Sequence, residues 1–274
     1  MKLSQVLAGV RLRRELSPAL TQLEVAGLEY DSRRVEKDFL FFAFPGSRAD
    51  GRKFADAAVL QGACAVVSES PRPDDFLHEG FSLPWIEVEH GRNALAGAAR
   101  NFYQKPDERV AFTGITGTNG KTTTTYLIDA MLRATGKTTA MIGTIEYRMA
   151  GEQRPAPNTT PESLDVMRMA SELLDRGGSH LTMEVSSHAL ALGRIYGFGF
   201  HTAVFTNLTR DHLDFHGTME DYAAAKRLLF QSPAGPAPRW SIVNADDAAC
   251  EQMLPAAGAN VIRYGMGNAA DPIG

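Results

Sequence analysis

The sequence predicts an α/β protein, a small N-terminal α/β unit followed by a larger, mainly parallel sheet of the phosphate-loop type. Three observations lead there. From Val110 onward, short apolar runs alternate regularly with amphipathic segments of helical length. The run Gly117-Thr118-Asn119-Gly120-Lys121-Thr122-Thr123 stands between an apolar strand and a helix. The densest polar clusters, Glu184-Val185-Ser186-Ser187-His188 and Asn207 to Asp214, each follow a strand, where open parallel sheets bind their ligands.

Taken in order, Met1-Lys2-Leu3-Ser4-Gln5-Val6-Leu7 runs into Arg11, Arg13, Arg14 and Glu15 rather than an apolar stretch, and no run approaches the length of a membrane span. A cytoplasmic location is expected. Residues 39–44, 64–68 and 85–88 read as strands around a helix at 55–60, broken by the loop Pro71-Arg72-Pro73. The polar turn Glu89-His90-Gly91-Arg92 precedes a helix at 94–103 that Pro106 stops. This places the domain boundary near residue 90, giving domains 1–90 and 91–274. Strand 110–112, helix 123–132, strand 139–142, helix 162–174, strands 180–185 and 202–206, helix 219–230 and strand 240–243 follow. The chain stops at Asp271-Pro272-Ile273-Gly274 with no closing element, which reads as a truncated protein.

At 274 residues there is room for two domains and a sizeable core, and 44% apolar with 22% charged residues is an ordinary globular balance. A formal net charge of −4 argues against a general nucleic-acid binder. An anionic partner would need local groups such as Arg33, Arg34 and Lys37, or Arg48, Arg52 and Lys53, for which solvated surface charge is the default reading. Cys64 and Cys250 lack metal-ligand spacing and are too few for a disulfide framework, so buried free thiols are expected.

Glycines in the loop let backbone N–H groups turn toward anionic oxygens at a helix N-terminus, Lys121 reaches β/γ-phosphates, and the Thr122 hydroxyl suits Mg²⁺. The usual spacing wants glycine at 115, where this chain has Ile115, with Gly114 one place early and Gly117 inside the loop. Glu184 ends the apolar run Leu181-Thr182-Met183 and is either a Mg²⁺ ligand facing the loop or a strand-end carboxylate paired to an arginine. Asp211-His212-Leu213-Asp214 with His216 suggests metal or proton chemistry. By spacing alone, Lys226 is a lysine on a helix surface.

Together with Asn158-Thr159-Thr160-Pro161, Thr206-Asn207-Leu208-Thr209-Arg210, Ala225-Lys226, Tyr30-Asp31-Ser32-Arg33 and Phe42-Ala43-Phe44-Pro45-Gly46, these motifs resemble the Mur ligases of peptidoglycan synthesis over nearly the whole chain. The resemblance implies an ATP- and Mg²⁺-dependent amide-forming ligase. ATP would phosphorylate the terminal D-Glu carboxylate of UDP-MurNAc-L-Ala-D-Glu, and the amine of a third amino acid would attack the acyl phosphate. That amino acid is expected to be meso-diaminopimelate, with L-lysine as the alternative, and the residues choosing it would lie in a third, Rossmann-like domain beyond Gly274. The resemblance assigns Gly117, Thr118, Asn119, Gly120, Lys121, Thr122 and Thr123 to the nucleotide. Catalysis falls to Lys121, Glu184, His212 and Lys226, and metal binding to Thr122, Glu184, His212 and Lys226, the last as a carbamate. Asp31, Ser32 and Arg33 would serve the uridine diphosphate, and Asn158, Thr159, Thr160, Ser186 and Arg194 the muramyl-dipeptide. Small molecules are the expected partners, with no nucleic acid and a monomer as default. Rival readings are a folylpolyglutamate synthase-like ligase, whose relatives lack a separate uridine domain like residues 1–90, and a P-loop kinase or non-catalytic nucleotide-binding module.

Overall fold

Leu40, Phe41, Phe42 and Ala43 are consecutive apolar residues and all are buried, the pattern of a strand covered on both faces. In the computed structural model, which describes residues 1–46, 49–73, 76, 83–232, 234–255 and 260–267, they lie in the first of two units, Met1–Lys105 and Pro106–Gly274.

The first unit opens with two single-turn helices, α1 (Leu3–Val6) and α2 (Pro18–Thr21). Its parallel sheet has the order β1 (Gly27–Glu29), β2 (Phe39–Ala43), β3 (Ala65–Ser68), β4 (Trp85–Glu87). Helix α3 (Ala55–Leu60) contributes Ala55 and Ala58 to a cluster with Val35, Phe41, Ala43 and Val66. Helix α4 (Gly91–Phe102) buries Ala94, Leu95, Ala98 and Ala99 and contacts α1, β1 and β2. The polar turn that suggested a boundary near residue 90 is therefore the start of this helix. The His90 side chain accepts from the Asn93 N–H as its N-cap, and the division falls between Lys105 and Pro106. Arg48 lies outside the described residues, as do Asp271 to Gly274.

The second unit is an eight-stranded sheet in the order β12-β11-β10-β5-β9-β6-β7-β8 among the described residues. Its strands are β5 (Ala111–Thr116), β6 (Thr139–Ile142), β7 (Glu146–Met149), β8 (Glu152–Pro155), β9 (His180–Glu184), β10 (Thr202–Phe205), β11 (Trp240–Asn244) and β12 (Asn260–Tyr264). Pairing is parallel from β12 to β6 and antiparallel through the β6-β7-β8 meander. Helices α5 (Lys121–Ala134), α6 (Ser163–Asp175) and α9 (Met219–Gln231) pack on the sheet, with the shorter α7 (Ser187–Ala191) and α8 (Leu213–His216) at its carboxyl end. Strand β5 is flanked by β9 and β10, so later connections leave it to opposite sides. That reversal is where such sheets form a ligand crevice.

Strand β5 runs longer than the expected 110–112, and this accounts for the irregular glycine spacing. Gly114 and Ile115 pair with β9 and β10 inside the sheet and are not part of the loop. A Cβ on Gly114 would stand 2.8 Å from the Phe200 ring, so glycine there lets Phe200 and Leu229 close over the strand. Both cysteines are free, with Cys250 buried and Cys64 only half-buried, where burial pushes the thiol up to about 11. No described helix is long and apolar enough to cross a membrane.

Candidate nucleotide site

Between Thr116 and Lys121 the backbone makes a turn that only glycine accommodates at two points. Gly117 has φ +146° and Gly120 φ +84°, and a Cβ on Gly117 would fall 1.9 Å from Thr206 Oγ1. A strap from the end of β10 holds this turn. Asn207 Oδ1 accepts from the Asn119 N–H at 2.9 Å, while Asn207 Nδ2 and Thr206 Oγ1 both donate to the Asn119 carbonyl, at 3.1 and 2.7 Å. Thr118 N–H donates to the Asn207 carbonyl, and the Thr118 hydroxyl meets Thr209 at both its carbonyl and its N–H. The strap is fixed in turn by Asn244, which donates to the Thr206 carbonyl, and by Asp247, which accepts from Leu208 N–H, each at 2.8 Å. Asn207 and Thr209 stand in a sequence motif that by itself assigns them no task. Their signal was a polar run directly after the strand beside the loop.

The Lys121 ammonium folds back on the turn and donates to the Gly117 and Thr118 carbonyls, both at 2.8 Å. Burial lowers its pKa, while Glu184 and Asp211 favour the charged form. Lys226 is not on a helix surface. It is 1% exposed, because Tyr222, Ala225, Lys226 and Leu229 form the inward stripe of α9 at i, i+3, i+4 and i+7. Its Nζ donates to the Gly117 carbonyl at 2.8 Å and lies 4.3 Å from the centre of the Tyr222 ring. Burial, reinforced by Lys121, brings its pKa down to about 7.

Glu184 closes β9, the strand beside β5, and is 1% exposed. Thr122 Oγ1 donates to its Oε2 at 2.9 Å, Thr144 N–H to its Oε1 at 2.8 Å and Thr144 Oγ1 to its Oε2 at 3.2 Å. Among the described residues no arginine pairs with it, which removes the ion-pair reading. Of the acidic and imidazole cluster at 211–216, His212 alone lines the cleft, held at φ +52° with Nε2 3.5 Å from Asp211 Oδ2. His216 turns to Ser187 Oγ at 2.9 Å, and burial lowers its pKa.

On the other wall, Thr159 and Ser186 face the cleft. Thr160 is buried, its hydroxyl donating to the Glu184 carbonyl at 2.9 Å and accepting from Ser186 N–H at 3.0 Å. Arg194 donates to the Thr160 carbonyl at 2.8 Å and pairs with Glu162 at 3.2 Å, and the Asn158 carbonyl accepts from the Tyr147 hydroxyl at 2.6 Å. Thr123 is exposed and does not line the cleft. In the first unit, Asp31 caps a 3₁₀ turn, Ser32–Arg34, directly after β1. Its carboxylate takes two bonds from the Arg33 guanidinium, at 2.9 and 2.6 Å, and one from the Arg33 N–H at 3.1 Å, and these hold it below the usual carboxylate range. Ser32 in that turn is buried.

Thr118, Asn119, Gly120, Lys121, Thr122 and Glu184 share one cleft of about 280 Å³ with Thr144, Thr159, Ser186, His212, Tyr222 and Lys226. Among the described residues no three His, Cys, Asp or Glu side chains group to hold a metal by themselves. The donors present, the Glu184 carboxylate and the Thr122 hydroxyl, are hard oxygens of the kind that share Mg²⁺ with a nucleotide's phosphates and water. The residues thus fit a magnesium nucleotide.

A mainly parallel sheet with a glycine turn at its switch point, two lysine ammonium groups bonded to that turn and a carboxylate on the adjacent strand define a phosphate-loop nucleotide-binding protein. The Mur ligase middle domain matches residues 115–273, and the Mur ligase family, catalytic domain, matches residues 24–103. The chain belongs to the Mur ligase family. It is 59% identical over 271 residues to the UDP-N-acetylmuramoyl-L-alanyl-D-glutamate–2,6-diaminopimelate ligase of Solibacter usitatus, covering 99% of this chain and 54% of that protein. The ligase of the same name from Geobacillus kaustophilus is 43% identical over 252 residues, covering 90% of this chain and 50% of that one. A solved structure of a UDP-N-acetylmuramoyl-L-alanyl-D-glutamate–2,6-diaminopimelate ligase superposes with a TM-score of 0.81 at 28% identity, covering 99% of this chain and 54% of that chain. The chain spans about half the length of the curated relatives it matches.

Proposed function

We propose that this chain supplies the uridine-nucleotide and ATP sites of a ligase that adds meso-diaminopimelate to UDP-MurNAc-L-Ala-D-Glu in the cytoplasm. The acceptor and the amine are those in the names of its relatives. The observation that carries the reading is the convergence of Lys121, Lys226, Glu184 and Thr122 on one cleft at the carboxyl end of the sheet. In this reading an oxygen of the terminal D-Glu carboxylate attacks the γ-phosphorus and ADP leaves. The amine then attacks the acyl carbon, and phosphate leaves as the amide forms.

Two anions must approach each other for the first step, so cationic groups at the meeting point lower its barrier. Lys121 serves the β/γ-phosphates. Thr122 and Glu184 would hold Mg²⁺, with His212 at a second ion. Bound there, the metal supplies charge neutralisation on the transferring phosphoryl group. A Lys226 with its pKa near 7 offers a neutral amine to CO₂. The nitrogen bonds the carbon, one proton leaves, and the resulting carbamate is an oxygen ligand where an ammonium could not be one. Thr159 and Ser186 face the acceptor, with Thr160 and Arg194 ordering that wall, and Asp31, Ser32 and Arg33 serve the uridine diphosphate.

The test uses this chain extended to the length of its relatives, incubated with ATP, Mg²⁺, UDP-MurNAc-L-Ala-D-Glu and either meso-diaminopimelate or L-lysine. Mass spectrometry should find the diaminopimelate tripeptide with stoichiometric ADP. Product with L-lysine alone overturns the choice of amine, and ATP turnover indifferent to the acceptor overturns the ligase.

A further inference from the structure

Thr144 belongs to none of the motifs that pointed to the site, yet it makes two of the three side-chain hydrogen bonds of Glu184. It follows β6, the strand that flanks β9, and the pairing of Ile142 with Met183 brings residues 143 and 144 alongside the Glu184 carboxylate. The approach is close. A Cβ on Gly143 would stand 2.8 Å from Glu184 Oε1, so glycine there lets the backbone reach the carboxylate. Thr144 then grips both oxygens, its N–H on Oε1 at 2.8 Å and its hydroxyl on Oε2 at 3.2 Å, while Thr122 takes Oε2 from the loop side at 2.9 Å. The same hydroxyl meets Thr159 Oγ1 at 3.1 Å, on the opposite wall.

We infer that Thr144 is a positioning residue for the divalent cation of the nucleotide. It fixes the plane of the Glu184 carboxylate toward the cleft, and it links that orientation to Thr159. The inference rests on the reading of the cleft as a magnesium-nucleotide site. A carboxylate with one rotatable arm in a cleft has several orientations open to it, and a ligand that selects one of them must offset the entropy of ordering it. Two donors from a single residue remove that freedom before the cation arrives. Groups that orient a metal-binding carboxylate typically change metal affinity by about 10- to 100-fold when removed. Thr144 is exposed, so changing its side chain leaves the core of the sheet intact.

The experiment measures Mn²⁺ binding by electron paramagnetic resonance, with saturating ATP, on the chain and on Thr144→Val, Thr144→Ala and Thr144→Ser. Metal-free ATP binding is measured by calorimetry on the same samples. Val and Ala should weaken Mn²⁺ binding about tenfold, with metal-free ATP affinity held within about twofold, and Ser should restore most of the loss. Mn²⁺ affinity unchanged in both Val and Ala overturns the inference. So does a parallel loss of metal-free ATP binding, because the hydroxyl would then be supporting the loop rather than the carboxylate. Parent protein that binds ATP but no Mn²⁺ with it overturns the metal reading itself, a result distinct from either.

Discussion

Lys121 and Lys226 donate hydrogen bonds to the same oxygen, the carbonyl of Gly117, each at 2.8 Å. One lysine opens the helix after the loop and the other sits buried about two turns into a different helix, α9, so a single backbone carbonyl gathers two ammonium groups. Like charges at this range repel, and the pair is relieved either by an anion between them or by loss of a proton from the more buried partner. Burial and Lys121 together bring Lys226 down to about 7, consistent with the second route.

Lys121→Ala should leave the fold intact and strongly weaken nucleotide binding. The side chain bonds only loop carbonyls and packs in no core cluster. Far-ultraviolet circular dichroism is expected to match the parent, and calorimetry to show ATP affinity reduced by two orders of magnitude or about 2.7 kcal/mol.

Lys226→Met separates the lysine's two roles by pH. The folded-state pKa of Lys226 lies below its unfolded value, so above about pH 7 the unfolded chain binds more protons than the folded one and stability rises with pH toward the ordinary lysine range. Methionine carries no proton and lacks that rise. Urea unfolding from pH 6 to pH 9 should show the parent gaining on the variant by up to about 1.4 kcal/mol per pH unit above pH 7. Parallel curves would show that burial has not perturbed Lys226. Carbon-13 spectra in labelled bicarbonate should show a carbamate signal that the variant lacks.

Asn207→Ala should loosen the loop without touching a phosphate contact. It deletes an acceptor for Asn119 N–H and a donor to the Asn119 carbonyl. Two such losses at a partly solvated site cost about 1–2 kcal/mol. Hydrogen exchange at residues 117–120 should quicken, with ATP affinity lowered about tenfold.

Gly117→Ala tests the backbone itself. Alanine meets Thr206 Oγ1 at 1.9 Å in a conformation, φ +146°, that side chains rarely adopt. A loss of at least about 2 kcal/mol in denaturant unfolding is expected, whereas Gly136→Ala, at φ +80° with open space around it, should lose less than that.

The sheet was legible where strands were apolar and the helices long. Helix α9 begins at Met219 as expected, and β6 spans 139–142 as expected. Strands β7 and β8 escaped because their sequence, Glu146-Tyr147-Arg148-Met149 and Glu152-Gln153-Arg154-Pro155, is charged and β8 is an edge strand largely in solvent. Strand β1 has only three residues, too short for a period to show. In the site, Lys121, Thr122 and Glu184 could be read because the chemistry of each is local. Lys226 could have been read from its helical spacing to Tyr222 and Leu229, had the stripe outweighed the expectation that lysine faces water. Asn207 stood in a polar run that marked its place but not its task, and Thr144 stood in no motif at all, because a hydroxyl or an amide declares its role only when its partner is beside it.

The strap that holds the phosphate loop has a consequence for when the loop exists. Asn119 and Asn207 are 88 residues apart, and Lys226 reaches Gly117 across 109. A peptide spanning β5, the loop and α5 carries every letter of the motif and none of these long-range partners. Its glycines would sample many turns, and the amides that cradle phosphate would point in no common direction. The binding loop is thus completed only when β10 docks beside β5 and α9 closes over it, contacts of high sequence separation whose loop-closure entropy must be offset before they form. Nucleotide affinity therefore reports on the assembly of the whole sheet, and a variant that slows the arrival of β10 will delay the appearance of the site without altering a residue that lines it.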